Sequence, residues 1–182
     1  MFTCPLSEDA YLKLLERGDA PALFDLTDRS RTHLRRWMPW LDQTVSFEQT
    51  EAFVTASLRQ YADGLGYQAG IWRGATLLGT AGLHPIDWPN RQSALGYWIG
   101  AENEGRGLVT MACRALLRAA FVEYGLHRME LRAATGNARS RAVAERLGFR
   151  LEGVVRDAEW LYDHYVDHAV YGLLEGEWRE EV

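Results

Sequence analysis

The stretch from residue 96 to residue 149 constrains the fold more than any other part of the chain. It reads as an apolar strand, a glycine-bearing loop, a helix, a second strand and a short second helix. Residues 94–99 are apolar at successive positions, as in a central strand covered on both faces. From residue 107 to 122 the apolar set is Leu108, Met111, Ala112, Ala115, Leu116, Ala119 and Val122. Those steps of three and four describe one face of an amphipathic helix. Residues 128–133 alternate, with Met129, Leu131 and Ala133 on one side. Residues 137–147 form a shorter helix, closed by Gly148.

The flanks complete a sheet around this βαβ unit. Residues 11–15 read as a short strand. Residues 19–37 read as a helix with Leu23, Leu26 and Leu34 among its apolar positions, ended by Pro39. Residues 48–61 carry Phe53, Val54, Ala56, Leu58 and Tyr61, a second helix behind the cap residue Ser46. Strands follow at 67–72 and 77–85 around the turn dipeptide Arg73-Gly74, and at 149–161 and 164–174 around Tyr162-Asp163. The expectation is a mixed, mostly antiparallel α/β sheet with helices on both faces.

At 182 residues the chain fits one domain, 1–182. Its formal charge of −5 argues against nucleic-acid or acidic-membrane binding, which need a basic surface. It has neither a signal-type N-terminus nor an apolar run near membrane-spanning length, so a cytoplasmic location is expected. Cys4 and Cys113 have no metal or redox spacing, and Cys113 falls on the apolar face of its helix, as a core residue would.

The first strand of the unit runs into Glu104-Gly105-Arg106-Gly107-Leu108-Val109-Thr110. The N–H groups at a helix start have no intrahelical partner, and the helix dipole adds about half a positive charge there. Glycines let the backbone approach a ligand closely. An anion is the natural occupant. A P-loop would need Gly-Lys-Ser/Thr, and a dinucleotide fingerprint would need a third glycine near Thr110; neither is present.

With its downstream pieces, the chain resembles the GNAT superfamily of N-acetyltransferases, and within it the Rim-type ribosomal-protein N-terminal acetyltransferases. The pieces are Tyr97-Trp98-Ile99-Gly100, then Glu104-Gly105-Arg106-Gly107-Leu108-Val109, then Asn137-Ala138-Arg139-Ser140 and Leu147-Gly148-Phe149. The front end is similar in its run from Arg31 to Trp40, and the tail in Leu151-Glu152-Gly153 and Tyr171-Gly172-Leu173-Leu174. The resemblance implies a GNAT-like sheet and acetyl-CoA as acyl donor. The diphosphate would lie on the amides of residues 105–110, and the pantetheine beside Trp98, Ile99 and Gly100 as an added strand. Asn137 would bond the pantetheine. Glu104 and Val109 depart from the family pattern, which has Gln or Arg at the first position and a small residue at the second. Many members place a thiolate-protonating Tyr where this chain has Ala144. Ser140, one turn earlier on the same face, is the expected substitute, and Glu159 matches a general base acting through water. Each also has a plainer reading, Ser140 as a residue that bonds the helix backbone or the cofactor and Glu159 as a solvated strand residue.

Trp37 and Trp40, flanking Pro39, are candidates to wall the acceptor cavity or simply to fill core space. Arg29, Arg31, Arg35 and Arg36 read as a solvated helix face, with attraction of an acidic peptide as the other reading. His164 and His168 would suit a metal only on a helix; four strand residues span about 13 Å, too far for shared zinc. No metal is expected. His84 and His127 are expected to serve loops or strand ends. The expected acceptor is a protein or peptide α-amino group. A small-molecule amine (aminoglycoside, polyamine or amino acid), a non-catalytic acyl-CoA-binding role and a purely structural domain are the alternatives. Similar proteins often pair through the sheet edge, so the resemblance implies a homodimer.

Overall fold

A computed structural model describes residues 3–179. In chain order the strands are β1 (Thr3–Pro5), β2 (Ala10–Leu14), β3 (Tyr67–Arg73), β4 (Thr76–Leu83), β5 (Gln92–Ile99), β6 (Arg128–Ala134), β7 (Arg150–Leu161) and β8 (His164–Leu174). The helices are α1 (Ala20–Arg29), α2 (Arg31–Leu34), α3 (Phe47–Ala62), α4 (Leu108–Arg118) and α5 (Ala138–Arg146). The strands form one sheet in the order β1-β2-β3-β4-β5-β6-β8-β7. β5 and β6 are its parallel pair, and the other neighbours run antiparallel. The mixed sheet expected from the sequence is present.

Much of the core is built where the periodicities point, although Phe53, Tyr61 and Val122 of the expected apolar faces are exposed. Leu12, Ile71, Leu83, Leu116, Met129, Leu131 and Tyr171 are each less than 2 % exposed. Burying a side chain of this size stabilises the fold by about 1.5–3 kcal/mol. A smaller cluster of Leu15, Leu23, Leu26, Val54, Trp72 and Leu77 lies under α1 and α3. Cys113 is fully buried, and burial pushes its thiol far above the usual range. Ser46 precedes α3, and its N–H donates to Gln49 Oε1 at 2.9 Å, half of a capping box.

Three departures from the sequence expectation shape the site. First, the helix expected over 19–37 breaks at Ser30, where φ is −98° and ψ is 1°. The Arg31 guanidinium donates to the carbonyls of Leu41, at 2.9 Å, and Thr44, at 2.5 Å. That ties α2 to the following loop and turns residues 37–40 back over the sheet. Second, the helix expected to 122 ends its α-helical part at Arg118 and finishes in a wider turn, Ala119–Glu123. Third, β5 is paired with β6 only over Gln92–Ala94, opposite Arg128–Glu130. Beyond that point β5 continues along β4 to Ile99, while β6 continues along β8 to Ala134. The sheet therefore splits into two diverging halves. Tyr97 and Trp98 are half-buried for that reason, not covered on both faces.

Candidate active site

The split leaves one edge of β5 open. Along an antiparallel ladder, successive residues turn their main-chain groups to opposite sides. His84 N–H donates to Ala94 O at 2.9 Å, and Gly100 N–H donates to Leu78 O at 2.8 Å. Even-numbered residues of β5 thus face β4, and beyond the pairing with β6 the main-chain groups of Tyr97 and Ile99 face the gap. Gly100 has no free N–H to offer, and Trp98 offers its indole ring and no main-chain donor. A cleft of about 850 Å³ occupies this gap. Trp98, Ile99, Glu104, Gly105, Gly107, Val109, Thr110, Asn137 and Ser140 all line it. The side chains of Arg106 and Leu108 do not: Arg106 donates to Glu102 O at 3.0 Å, and Leu108 is 2 % exposed in the core.

Gly105 and Gly107 sit at φ +74° and +75°, the left-handed region. Gly107 is the N-cap of α4, so the first N–H groups of that helix open onto the cleft. Arg146 of α5 reaches Thr110 Oγ1 at 3.4 Å and adds positive charge beside the loop. An extended strand-like ligand ending in an anion fits this arrangement: a free strand edge leads to a cradle of amides.

Glu104 crosses the mouth of the cleft. Its carboxylate pairs with Arg139 of α5 and lies 3.4 Å from His33 Nε2 of α2. Burial, with Arg36 and Arg139 nearby, lowers the His33 pKa, so its ring is neutral at neutral pH and Arg139 carries the balancing charge. A carboxylate beside an anion cradle opposes its ligand. Glu104→Gln should therefore tighten coenzyme binding about two- to fivefold at low ionic strength. The gain should shrink in about 0.5 M salt, and titration calorimetry at both salt levels checks it.

Asn137 caps α5: its Oδ1 accepts from Ser140 N–H at 3.2 Å. A cap of this kind is worth about 1 kcal/mol. Ser140 Oγ lies 2.8 Å from Tyr97 Oη.

A second cavity, of about 600 Å³, adjoins the first on the other side of Ser140. Trp37, Met38, Tyr97, Trp98, Asn137 and Ser140 line both, so they mark the junction. Trp37 and Trp40 both face the second cavity, and the rings of Trp40 and Trp98 are 6.3 Å apart. Tyr162 Oη, on the β7–β8 turn, donates to Met38 O and ties this aromatic wall down. Glu159 lines the second cavity too, with His168 Nε2 at 3.5 Å. A bulge places it. Val155 pairs with His168 and Glu159 with Val166, a step of four residues against two. Within it Asp157 takes φ +48°, and its N–H donates to Asp167 Oδ1 at 2.8 Å. Bulges of this kind re-aim a side chain.

Two cavity residues are not legible in sequence as site residues. His84, expected at a strand end, faces this cavity, and a Cβ on Gly96 would lie 2.7 Å from its Nε2. Burial lowers its pKa, so it is a neutral imidazole at neutral pH. His168 belongs with Glu159, whereas His164 pairs with Asp163 at 2.6 Å. Among the described residues no cluster of His, Cys, Asp or Glu is arranged to hold a metal ion.

Residues 10–150 match the model of the acetyltransferase (GNAT) domain family. The chain is 40 % identical over 182 residues to YdaF of Bacillus subtilis, named as a candidate ribosomal N-acetyltransferase, covering 100 % of both chains. It is 27 % identical to the ribosomal-protein-serine acetyltransferase of Escherichia coli, covering 94 % of this chain and 96 % of that one. Among solved structures it is similar to the microcin C7 self-immunity acetyltransferase MccE in complex with acetyl-CoA and AMP. That match has a TM-score of 0.87 and 25 % identity, over 93 % of this chain and 94 % of that one. A split sheet, an amide cradle at a helix start and a whole-length relative agree: the chain belongs to the GNAT family of acetyl-CoA-dependent N-acetyltransferases.

Proposed function

We propose that the whole chain acts as one acetyltransferase domain, moving an acetyl group from acetyl-CoA to the N-terminal α-amino group of a protein or peptide of the ribosomal-protein class. The observation that carries this reading is the junction of the two cavities. Ser140 lies where the donor cleft meets the acceptor cavity, and Glu159 lies in the acceptor cavity alone. The names of the two curated relatives support the choice of acceptor.

The free main-chain groups of Tyr97 and Ile99 hold the pantetheine arm, and the amides of residues 105–110 hold the diphosphate. The Asn137 side-chain N–H groups remain available to the arm, because its oxygen is used in the helix cap. Glu159 takes the proton of the incoming amine through a water molecule and leaves a neutral nucleophile. Ser140 supplies a hydrogen bond, then a proton, to the departing sulfur. Holding the amine against the thioester supplies much of the rate. No helix among the described residues is long and apolar enough to cross a membrane, which suits action in the cytoplasm. Leu151, Val154, Val155, Trp160 and Tyr165 are all exposed on the terminal β7–β8 hairpin. These exposed apolar side chains along the edge of the sheet support a homodimer, which sedimentation velocity tests.

The deciding assay follows thiol release from acetyl-CoA with a panel of ribosomal-protein N-terminal peptides and small amines. Turnover with peptides above that with aminoglycosides, polyamines and free amino acids is expected. Preference for a small amine would replace the acceptor. Coenzyme binding without thiol release for any amine would point to a non-catalytic module.

A further inference from the structure

Ser140 has a partner that neither its sequence context nor the reading above explains. Tyr97 stands on β5, on the wall shared by the two cavities. Its phenol oxygen is 2.8 Å from Ser140 Oγ and 3.3 Å from Ser140 O, forty-three residues away in the chain. The cap of α5 does not need the Ser140 hydroxyl, because Asn137 Oδ1 already accepts the Ser140 N–H. The hydroxyl is therefore free to serve the cleft.

A serine hydroxyl carries one proton and two acceptor sites, and so does a tyrosine hydroxyl. The phenol proton can go to Ser140 O, at 3.3 Å, with the Ser140 hydroxyl then donating back to Tyr97, or to the nearer Ser140 Oγ, at 2.8 Å. If Ser140 donates to Tyr97, its only proton points away from the sulfur. If Tyr97 donates to Ser140 Oγ, that proton can turn to the sulfur, and the phenol dipole strengthens it as a donor. Burial pushes the Tyr97 pKa well up; the pull of Ser140 and Arg146 the other way is smaller. The phenol keeps its proton and remains a donor across the working range.

We infer that Tyr97 is a positioning residue: its O–H donates to Ser140 Oγ and so aims the Ser140 O–H at the sulfur of the acyl donor. This rests on the proposed acetyl transfer. Glu159 passes the first proton of the ammonium group on to solvent, and as the C–N bond forms it receives the second proton of the amine nitrogen through water. As the C–S bond breaks, its electron pair goes to sulfur, and the Ser140 hydrogen bond stabilises that charge. The proton that completes the thiol comes from Ser140, which is restored from the solvent proton pool as Glu159 releases its own. Tyr97 ends the cycle with its proton in place.

The test is a cycle of Tyr97→Phe, Ser140→Ala and the double variant, assayed with the best acceptor peptide. Phe keeps the ring and removes only the hydroxyl. Tyr97→Phe should lower kcat about tenfold, the scale of one hydrogen bond to a charge-developing centre. KM for acetyl-CoA and the calorimetric Kd for CoA should stay within about twofold. With Ser140 gone there is nothing to aim, so the double variant should match Ser140→Ala within about twofold. A purely structural Tyr97 would instead shift coenzyme affinity and give multiplicative losses, and that result overturns the inference. Wild-type kcat in Tyr97→Phe beside a slowed Ser140→Ala also overturns it and leaves the Ser140 role standing. Wild-type kcat in Ser140→Ala removes the Ser140 role and the inference together.

Discussion

Glu159→Gln should lower kcat for peptide acetylation by at least about a hundredfold, the contribution of a positioned general base. An amine at neutral pH is mostly protonated and cannot attack. Something must take its proton at the point of attack, and Glu159 is the carboxylate that the bulge at residues 156–158 delivers into the acceptor cavity. Gln keeps the shape and the hydrogen-bonding reach of Glu but cannot hold the proton. Glu159 does not line the donor cleft, so the Kd for CoA should be unchanged within about twofold. Its side chain is about one-third exposed, and its contact with His168 is long, at 3.5 Å. Stability should therefore hardly change. The measurements are steady-state kinetics, calorimetry with CoA and a thermal melt. A variant with wild-type kcat would return Glu159 to a solvated strand residue. A variant that lost coenzyme binding as well would show that the substitution disturbs more than the base.

The frame of this site is legible in the sequence because periodicity reports which face of an element is buried. The steps of three and four from Leu108 to Leu116 mark α4, and the alternation at Met129, Leu131 and Ala133 marks β6. The glycine pair and Asn137 mark the two helix starts that line the donor cleft. Periodicity does not report which neighbour a strand leaves. Nothing in residues 92–99 shows that β5 parts from β6 after Ala94, since the parting is set by how β4 and β8 hold each strand. The break at Ser30 is hidden for a related reason: it depends on Arg31 reaching carbonyls ten and thirteen residues further on. The bulge leaves a faint local trace in Arg156-Asp157-Ala158, because Asp tolerates a positive φ better than most residues. His84 leaves none. It meets Glu159 around the same cavity only through the fold.

Gly107→Val should weaken CoA binding by at least about tenfold, equivalent to about 1.4 kcal/mol. Gly107 caps α4 at φ +75°, and a Cβ there would meet nothing within 4 Å. The cost of valine is therefore in the backbone and not in a clash. A β-branched residue at this dihedral is a true outlier, with a strain of about 1–3 kcal/mol. The loop can relieve that strain only by rotating the peptides at 106–108, which turns amides away from the cleft. The ligand then loses donors that no side chain replaces. Arg106→Ala is the matched control: it changes a side chain that bonds Glu102 O outside the cleft and leaves the main chain alone. Its CoA affinity should fall less than about threefold. The thermal midpoint of Gly107→Val should drop by about 2–12 °C, since about 1 kcal/mol moves a chain of this size by about 2–4 °C. Calorimetry with CoA on both variants reads the contrast directly. The pattern expected is strong loss from a backbone change and little loss from removing a cationic side chain one residue away. The reverse pattern would mean that the arginine grips the diphosphate and the amides do not.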